Sequence, residues 1–159
     1  MSAPWMVVAQ IELENDVRET PGAGDTPRVL EYIATCSKNL LGARLRRFMH
    51  DSTAWCSAFV NWVLLECGIP GTGSALAKSW EKYGIACERK VGAIAIYKRG
   101  KLPWQRHVGF VVDIRIDSQD LVLGGNQRNR VSTQWRDNAG AVYRWPHEDH
   151  AHDRTQLAS

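Results

Sequence analysis

The hydrophobic period of this chain changes once, near residue 90, and that change limits the folds open to it. Before it, apolar residues recur at helical spacing; after it, they alternate. Helices first and strands afterwards predict an α+β domain in which N-terminal helices pack on an antiparallel β-sheet. Pro4 suits a first helical turn, and Trp5, Val8, Ile11 and Leu13 predict a helix over residues 3–14. A turn-rich stretch at Thr20–Gly24 precedes a second helix. Asp25 or Thr26 is its N-cap, Pro27 its first position, and Val29, Leu30, Ile33 and Ala34 form its apolar face. A third helix is predicted from about Trp55 to Glu66, with Cys56, Phe59, Val60, Val63, Leu64 and Cys67 on one face and Gly68 and Pro70 ending it. Ser74–Tyr83 reads as a further short helix. Strands are predicted at 93–98, 107–114, 121–125, 130–135 and 141–145.

A chain of 159 residues fits one domain. Residues 1–146 are expected to form a single catalytic domain, and residues 147–159 a polar, flexible tail. The net charge of +3 favours an anionic polymer, and no Lys/Arg run of the kind that marks nucleic-acid binding is present. No apolar stretch reaches the length of a membrane span. Met1–Gln10 lacks the charged and apolar regions of a secretory signal, so synthesis in the cytoplasm is expected, with delivery to an external substrate by other means. Four cysteines without a C-x-x-C pair argue against a zinc ribbon or a redox motif. His147, His150 and His152 lie among acidic residues, but no complementary ligand set has fixed spacing. Neither metal nor cofactor is expected.

Cys56 is predicted at the start of the most apolar helix. There the helix dipole and unpaired backbone N–H groups favour a thiolate and can hold a developing oxyanion. A lone cysteine on an apolar face is otherwise core. Cys67, at the opposite end, meets the dipole's negative pole and reads as packing, while Cys36 and Cys87 have no activating neighbour. The segments from His107 to Arg115 and from Asp120 to Gln127 predict a β-hairpin. With Val108, Phe110 and Val112 on the core face, the register pairs Val112 with Leu121 and Phe110 with Leu123. Continued, it sets His107 opposite Asn126. Directly opposed Cβ atoms lie about 4.5–5.5 Å apart, within reach of a hydrogen bond between imidazole and amide. On this reading His107 is the base and Asn126 orients it. The competing readings are a solvent-facing strand-end histidine and a turn-forming asparagine in Gly-Gly-Asn-Gln. Gly109 and Gly124, beside the pair, leave room for the helix that carries Cys56.

Trp55-Cys56-Ser57-Ala58-Phe59-Val60, His107-Val-Gly-Phe and Gly124-Gly-Asn-Gln resemble the NlpC/P60 and CHAP superfamily of cell-wall hydrolases. Pro4-Trp5-Met6, Pro21-Gly22, Asp25-Thr26-Pro27, Gly71–Ser74 with Ala77, and Ser79-Trp80 narrow the resemblance to a small phage and bacterial subfamily, over residues 4–146. The resemblance implies a papain-like core with Cys56 and His107 as the dyad. The third polar residue of the superfamily varies, and Asn126 fits the CHAP pattern best. The Glu that CHAP members often carry two residues earlier is Gly124 here. Gln127 is the second choice, for an orienting or oxyanion role, and Trp55 and Arg106 are further candidates for substrate or oxyanion contact. Trp80 and Trp104 are candidates to line a groove, with core packing as the competing reading, and Gln105 and Arg106 are candidates to meet a substrate carboxylate. The implied function is hydrolysis of an amide in peptidoglycan, as a phage-type lysin or as an interbacterial toxin with a cognate immunity protein. A wall-binding module that has lost catalysis, or a deamidase or acyltransferase on another substrate, are the alternatives.

Overall fold

The computed structural model describes residues 2–20, 26–36 and 55–147. Among the described residues three α-helices, α1 (Pro4–Glu14), α2 (Pro27–Ala34) and α3 (Cys56–Glu66), and a 3-10 turn (Ala77–Lys82) precede six strands. These are β1 (Ile85–Ala86), β2 (Ile94–Lys98), β3 (Arg106–Ile114), β4 (Gln119–Gly124), β5 (Ser132–Asp137) and β6 (Val142–Trp145). They form one antiparallel sheet in the order β1-β6-β2-β3-β4-β5. The α+β class expected from the change of period is therefore present. The tail from Glu148 onward lies outside the described residues, as do His150, His152 and the N-cap candidate Asp25.

Prolines start α1 and α2, because each missing N–H falls where a helix has no internal acceptor for it. The apolar stripe of α1 is rotated from the expected one. Trp5, Met6, Ala9 and Glu12 are buried while Ile11 is half exposed. Glu12 is held inside by the Tyr32 hydroxyl and by Arg28 at 3.3 Å, which ties α1 to α2. The end of α3 follows from Gly68 at φ +73°. In this left-handed turn the N–H of Gly68 reaches the Leu65 carbonyl and that of Ile69 the Leu64 carbonyl, satisfying the last carbonyls of the helix. Buried Ile69 then seals the turn against the core.

Helices cover one face of the sheet. Ile94, Ile96, Val108, Phe110 and Leu123 on that face join Trp5, Trp55, Phe59, Val63 and Leu64 in a single core. The other face carries a smaller cluster, Ala93, Ala95, Tyr97, Val111 and Val122. Behind it Asp120 is fully buried and accepts from Tyr97 Oη (2.7 Å), Tyr143 Oη (2.6 Å) and Arg89 Nε (2.6 Å), so its charge is paired and its oxygens are occupied.

The β3–β4 hairpin keeps the expected Phe110–Leu123 pair. The expected Val112–Leu121 pair is replaced. A bulge between Val111 and Asp113 sets Asp113 opposite Leu121 and leaves Val112 as the extra residue. The bulge turns the charged Asp113 out to solvent while Val112 still packs against the core. No helix among the described residues is long and apolar enough to cross a membrane.

Candidate active site

Cys56 is the first residue of α3. The first intrahelical bond joins the N–H of Phe59 to the Trp55 carbonyl, so the N–H groups before it have no partner inside the helix. Cys56 is only 3% exposed, yet it forms part of a cleft of about 230 Å³. Ala75, Leu76, Ala77, Arg99, Trp104, Gln105 and Arg106 line the rest. The thiol therefore sits where the apolar core meets the floor of a cleft. One wall is held by α3 itself. Ser57 Oγ donates to the Ser74 carbonyl (2.6 Å) and accepts from Trp80 Nε1 (2.8 Å). Asn61 accepts from the Gly73 N–H at 2.8 Å and donates to the carbonyls of Ser57 and Ser74. A side chain on Gly71 would collide with Asn61, so the Gly-Thr-Gly-Ser loop must begin with glycine to lie this close.

The thiol meets the sheet where β4 turns away. Val111 donates to Ala93, so Val111, Gly109 and His107 direct their backbone groups to β2, and Val108 directs its own toward β4. The last named β3–β4 pair is Phe110–Leu123, and β4 ends at Gly124. The Val108 N–H is thus left for Cys56. With that of Ser57 it hydrogen-bonds the sulfur and favours the thiolate, as do the charges of Arg99 and Arg136, while burial pushes the thiol up more strongly. The expected place for the helix is corrected by the same geometry. Gly109 and Gly124 belong to the opposite face, and it is Gly125 that lets α3 in. A Cβ there would lie 2.6 Å from Phe59 Cβ and 2.7 Å from the Trp55 ring.

His107 is buried on β3, and its Nε2 lies 3.0 Å from Gln127 Oε1. Asn126 does not take this place. The register that sets it opposite His107 requires β4 to continue, but the strand stops at Gly124 and Asn126 turns into the left-handed region at φ +55°. Asparagine tolerates that conformation better than other non-glycine residues, so its part is that of a turn former. The turn carries Gln127 inward instead. Gln127 Nε2 donates to the carbonyls of Val122 (3.1 Å) and Ser132 (2.6 Å). Its Oε1 also accepts from Arg136 Nε (3.2 Å) and Nη2 (3.1 Å). Both amide protons are occupied, so Gln127 orients the imidazole and has none left for an oxyanion. Oε1 can only accept, so His107 Nε2 carries the proton and Nδ1 is the free base. Burial, then the charge of Arg136, pushes His107 down to about 3. The Gln127 hydrogen bond opposes this and Arg99 adds to it.

The other expected contacts divide. Trp55 is fully buried and gives its indole N–H to Glu19 at 2.5 Å, so its ring positions α3 and meets no substrate. Trp80 is likewise core, whereas Trp104 is 59% exposed on the cleft wall. Arg106 and Gln105 line the cleft, but the Arg106 guanidinium is already paired with Glu81 at 2.6 Å. Two functional candidates escaped the sequence reading, Arg99 at the cleft and Arg136 behind the imidazole. Arg136 stands in Gln134-Trp135-Arg136-Asp137, which reads as an ordinary half-exposed strand. Among the described residues no cluster of His, Cys, Asp and Glu is arranged to hold a metal ion.

A thiol at a helix start, an imidazole on the central sheet and an amide orienting that imidazole define a papain-like α+β arrangement. The CHAP domain model matches residues 48–126, and the chain is a member of the NlpC/P60–CHAP superfamily of cell-wall hydrolases. Membership supports, in general terms, a peptidoglycan hydrolase of the amidase or endopeptidase type. No curated protein and no solved structure matches the chain.

Proposed function

We propose that this protein is a thiol hydrolase that cleaves an amide bond of the peptidoglycan stem peptide, with Cys56 as nucleophile, His107 as base and Gln127 orienting it. The observation that carries the reading is the Cys56 thiol on the cleft floor, against the N–H of the residue that follows His107, whose far nitrogen is held by Gln127. His107 Nδ1 takes the thiol proton, and the sulfur attacks the amide carbonyl. Unpaired N–H groups of the first turn of α3 receive the oxyanion. The imidazolium then gives its proton to the leaving amine. Water, deprotonated by His107, hydrolyses the thioester and restores the thiol. Arg99 and Trp104 give the cleft a cation and an aromatic face, suited to an acidic peptide joined to sugar.

Residues 1–146 would act as one catalytic unit on the wall, outside the cytoplasmic membrane, after delivery or lysis. A lysin and a toxin effector with an immunity protein covering the cleft both fit such a unit. Digestion of purified sacculi, with fragments identified by mass spectrometry, tests the reading. Wild type should release peptide or muropeptide fragments with one new amine terminus per cut, and Cys56→Ala should release none. Equal release by both would overturn the nucleophile assignment. Intact sacculi with wild type, together with an ordinary Cys56 thiol, would favour the non-catalytic wall-binding module.

A further inference from the structure

Gln127 Oε1 is an unusually crowded acceptor. His107 Nε2, Arg136 Nε and Arg136 Nη2 all converge on it at 3.0–3.2 Å. On the other side of the same amide, two backbone carbonyls fix the nitrogen. An amide can rotate by half a turn about its last bond, and a lone imidazole cannot choose its orientation. A neutral imidazole would accept from the amide nitrogen as readily as donate to the oxygen. Something other than His107 must therefore set the direction of Gln127. We propose that Arg136 is a positioning residue of the active site: its guanidinium fork, opposite the Val122 and Ser132 carbonyls, locks Gln127 with Oε1 toward His107. The lock holds the imidazole as the Nε2–H tautomer, with Nδ1 bare on the Cys56 side. It rests on the Cys56–His107 reading of the site, though not on the identity of the substrate.

A second consequence is electrostatic. His107 faces Tyr97 across the β2–β3 ladder, Arg99 just beyond β2, and Arg136 from β5, while Cys56 of α3 is bonded by the N–H of the next residue, Val108. Its chain neighbour Arg106 is neutralised by Glu81. Asp120, the register partner of Arg136, is occupied by Arg89, Tyr97 and Tyr143 and does not bond Arg136. The charge of Arg136 therefore acts on the dyad without an intervening carboxylate. It disfavours an imidazolium and favours a thiolate, and so keeps the base unprotonated in mild acid.

The test uses the full chain labelled with 15N, His107 being assigned among the five histidines by its loss in His107→Gln. Long-range 1H–15N spectra across pH should show wild-type His107 as neutral Nε2–H down to below pH 5. In Arg136→Gln its midpoint should rise by about one unit or more, and the second tautomer should appear. Arg136→Lys keeps the charge but not the fork. Its midpoint should stay near that of wild type, while Cys56 alkylation by iodoacetamide at pH 7 slows by roughly 3- to 10-fold, since a single ammonium holds the amide less firmly. A folded Arg136→Gln with wild-type titration and tautomer would overturn the proposal. If that variant does not fold, wild-type alkylation in a folded Arg136→Lys would overturn the role of the fork. These readouts need no substrate, so a failed sacculus digest would leave them standing and would count only against the wall reading.

Discussion

The two faces of the sheet are built by different rules. The helix-covered face is apolar and bulky: Ile94, Ile96, Val108, Phe110 and Leu123 interlock with α1 and α3. The opposite face sets a small apolar cluster, with Val111 and Val122 at its centre, among small and polar residues. Ala93, Ala95, Gly109 and Gly124 leave space, and Tyr97, His107, Asp120 and Arg136 fill it with hydrogen bonds. The first face is fixed by volume, so errors there cost stability. The second is fixed by donors and acceptors, so errors there cost orientation and charge. The site lies where the faces meet, because Cys56 arrives with the helices and His107 belongs to the polar side.

That contrast can be broken by substitution. The largest expected effect is Cys56→Ala, which should lower sacculus cleavage by more than about 10³-fold with little change in melting temperature. Next is Asp120→Asn, outside the cleft. It weakens a buried acceptor shared by Arg89, Tyr97 and Tyr143 and should cost about 1–3 kcal/mol in urea unfolding, with activity per folded molecule retained. Gln127→Ala should lower kcat by roughly 10- to 100-fold, whereas Asn126→Ala should change it by less than about threefold. Equal losses in the two would return the orienting role to Asn126.

Adjacent glycines give the sharpest version of the comparison. Gly125→Ala drives a methyl into Phe59 and Trp55 on the apolar side and should cost about 1–3 kcal/mol of stability. Gly124→Ala places its methyl 3.2 Å from His107 Nε2 and should lower kcat more than stability. A further effect is on acid stability. His107 binds its proton near 3 when folded but near 6.5 when unfolded, so the unfolded state takes up a proton first. Stability from this group is complete above pH 6.5 and is lost as pH falls toward 3. His107→Gln should flatten the pH dependence of the unfolding free energy in that window by up to one proton.

The apolar face was the legible one. Prolines 4 and 27, the Gly68 stop and the alternation of Val108, Phe110 and Leu123 each act through local sterics or burial, which a sequence displays. What escaped depended on geometry without a period. The bulge at Val112 looks like plain alternation, and the two-residue strand β1 is too short to alternate at all. The geometry of the candidate site was legible in part. Cys56 and His107 followed from a helix start and a strand, but Gln127 required knowing that β4 ends at Gly124 and that Asn126 takes a positive φ. Arg136 could not be seen because its role comes from a neighbour nine positions away across a turn.

The thiol–imidazole pairing is tested most directly by competitive alkylation at pH 7, read residue by residue by mass spectrometry. Cys56, which opens on the cleft and is bonded by the N–H groups of Val108 and Ser57, should label at least about tenfold faster than Cys36, and His107→Ala should slow Cys56 alone. Labelling of Cys56 at the rate of Cys36, or unchanged by loss of His107, would contradict the account.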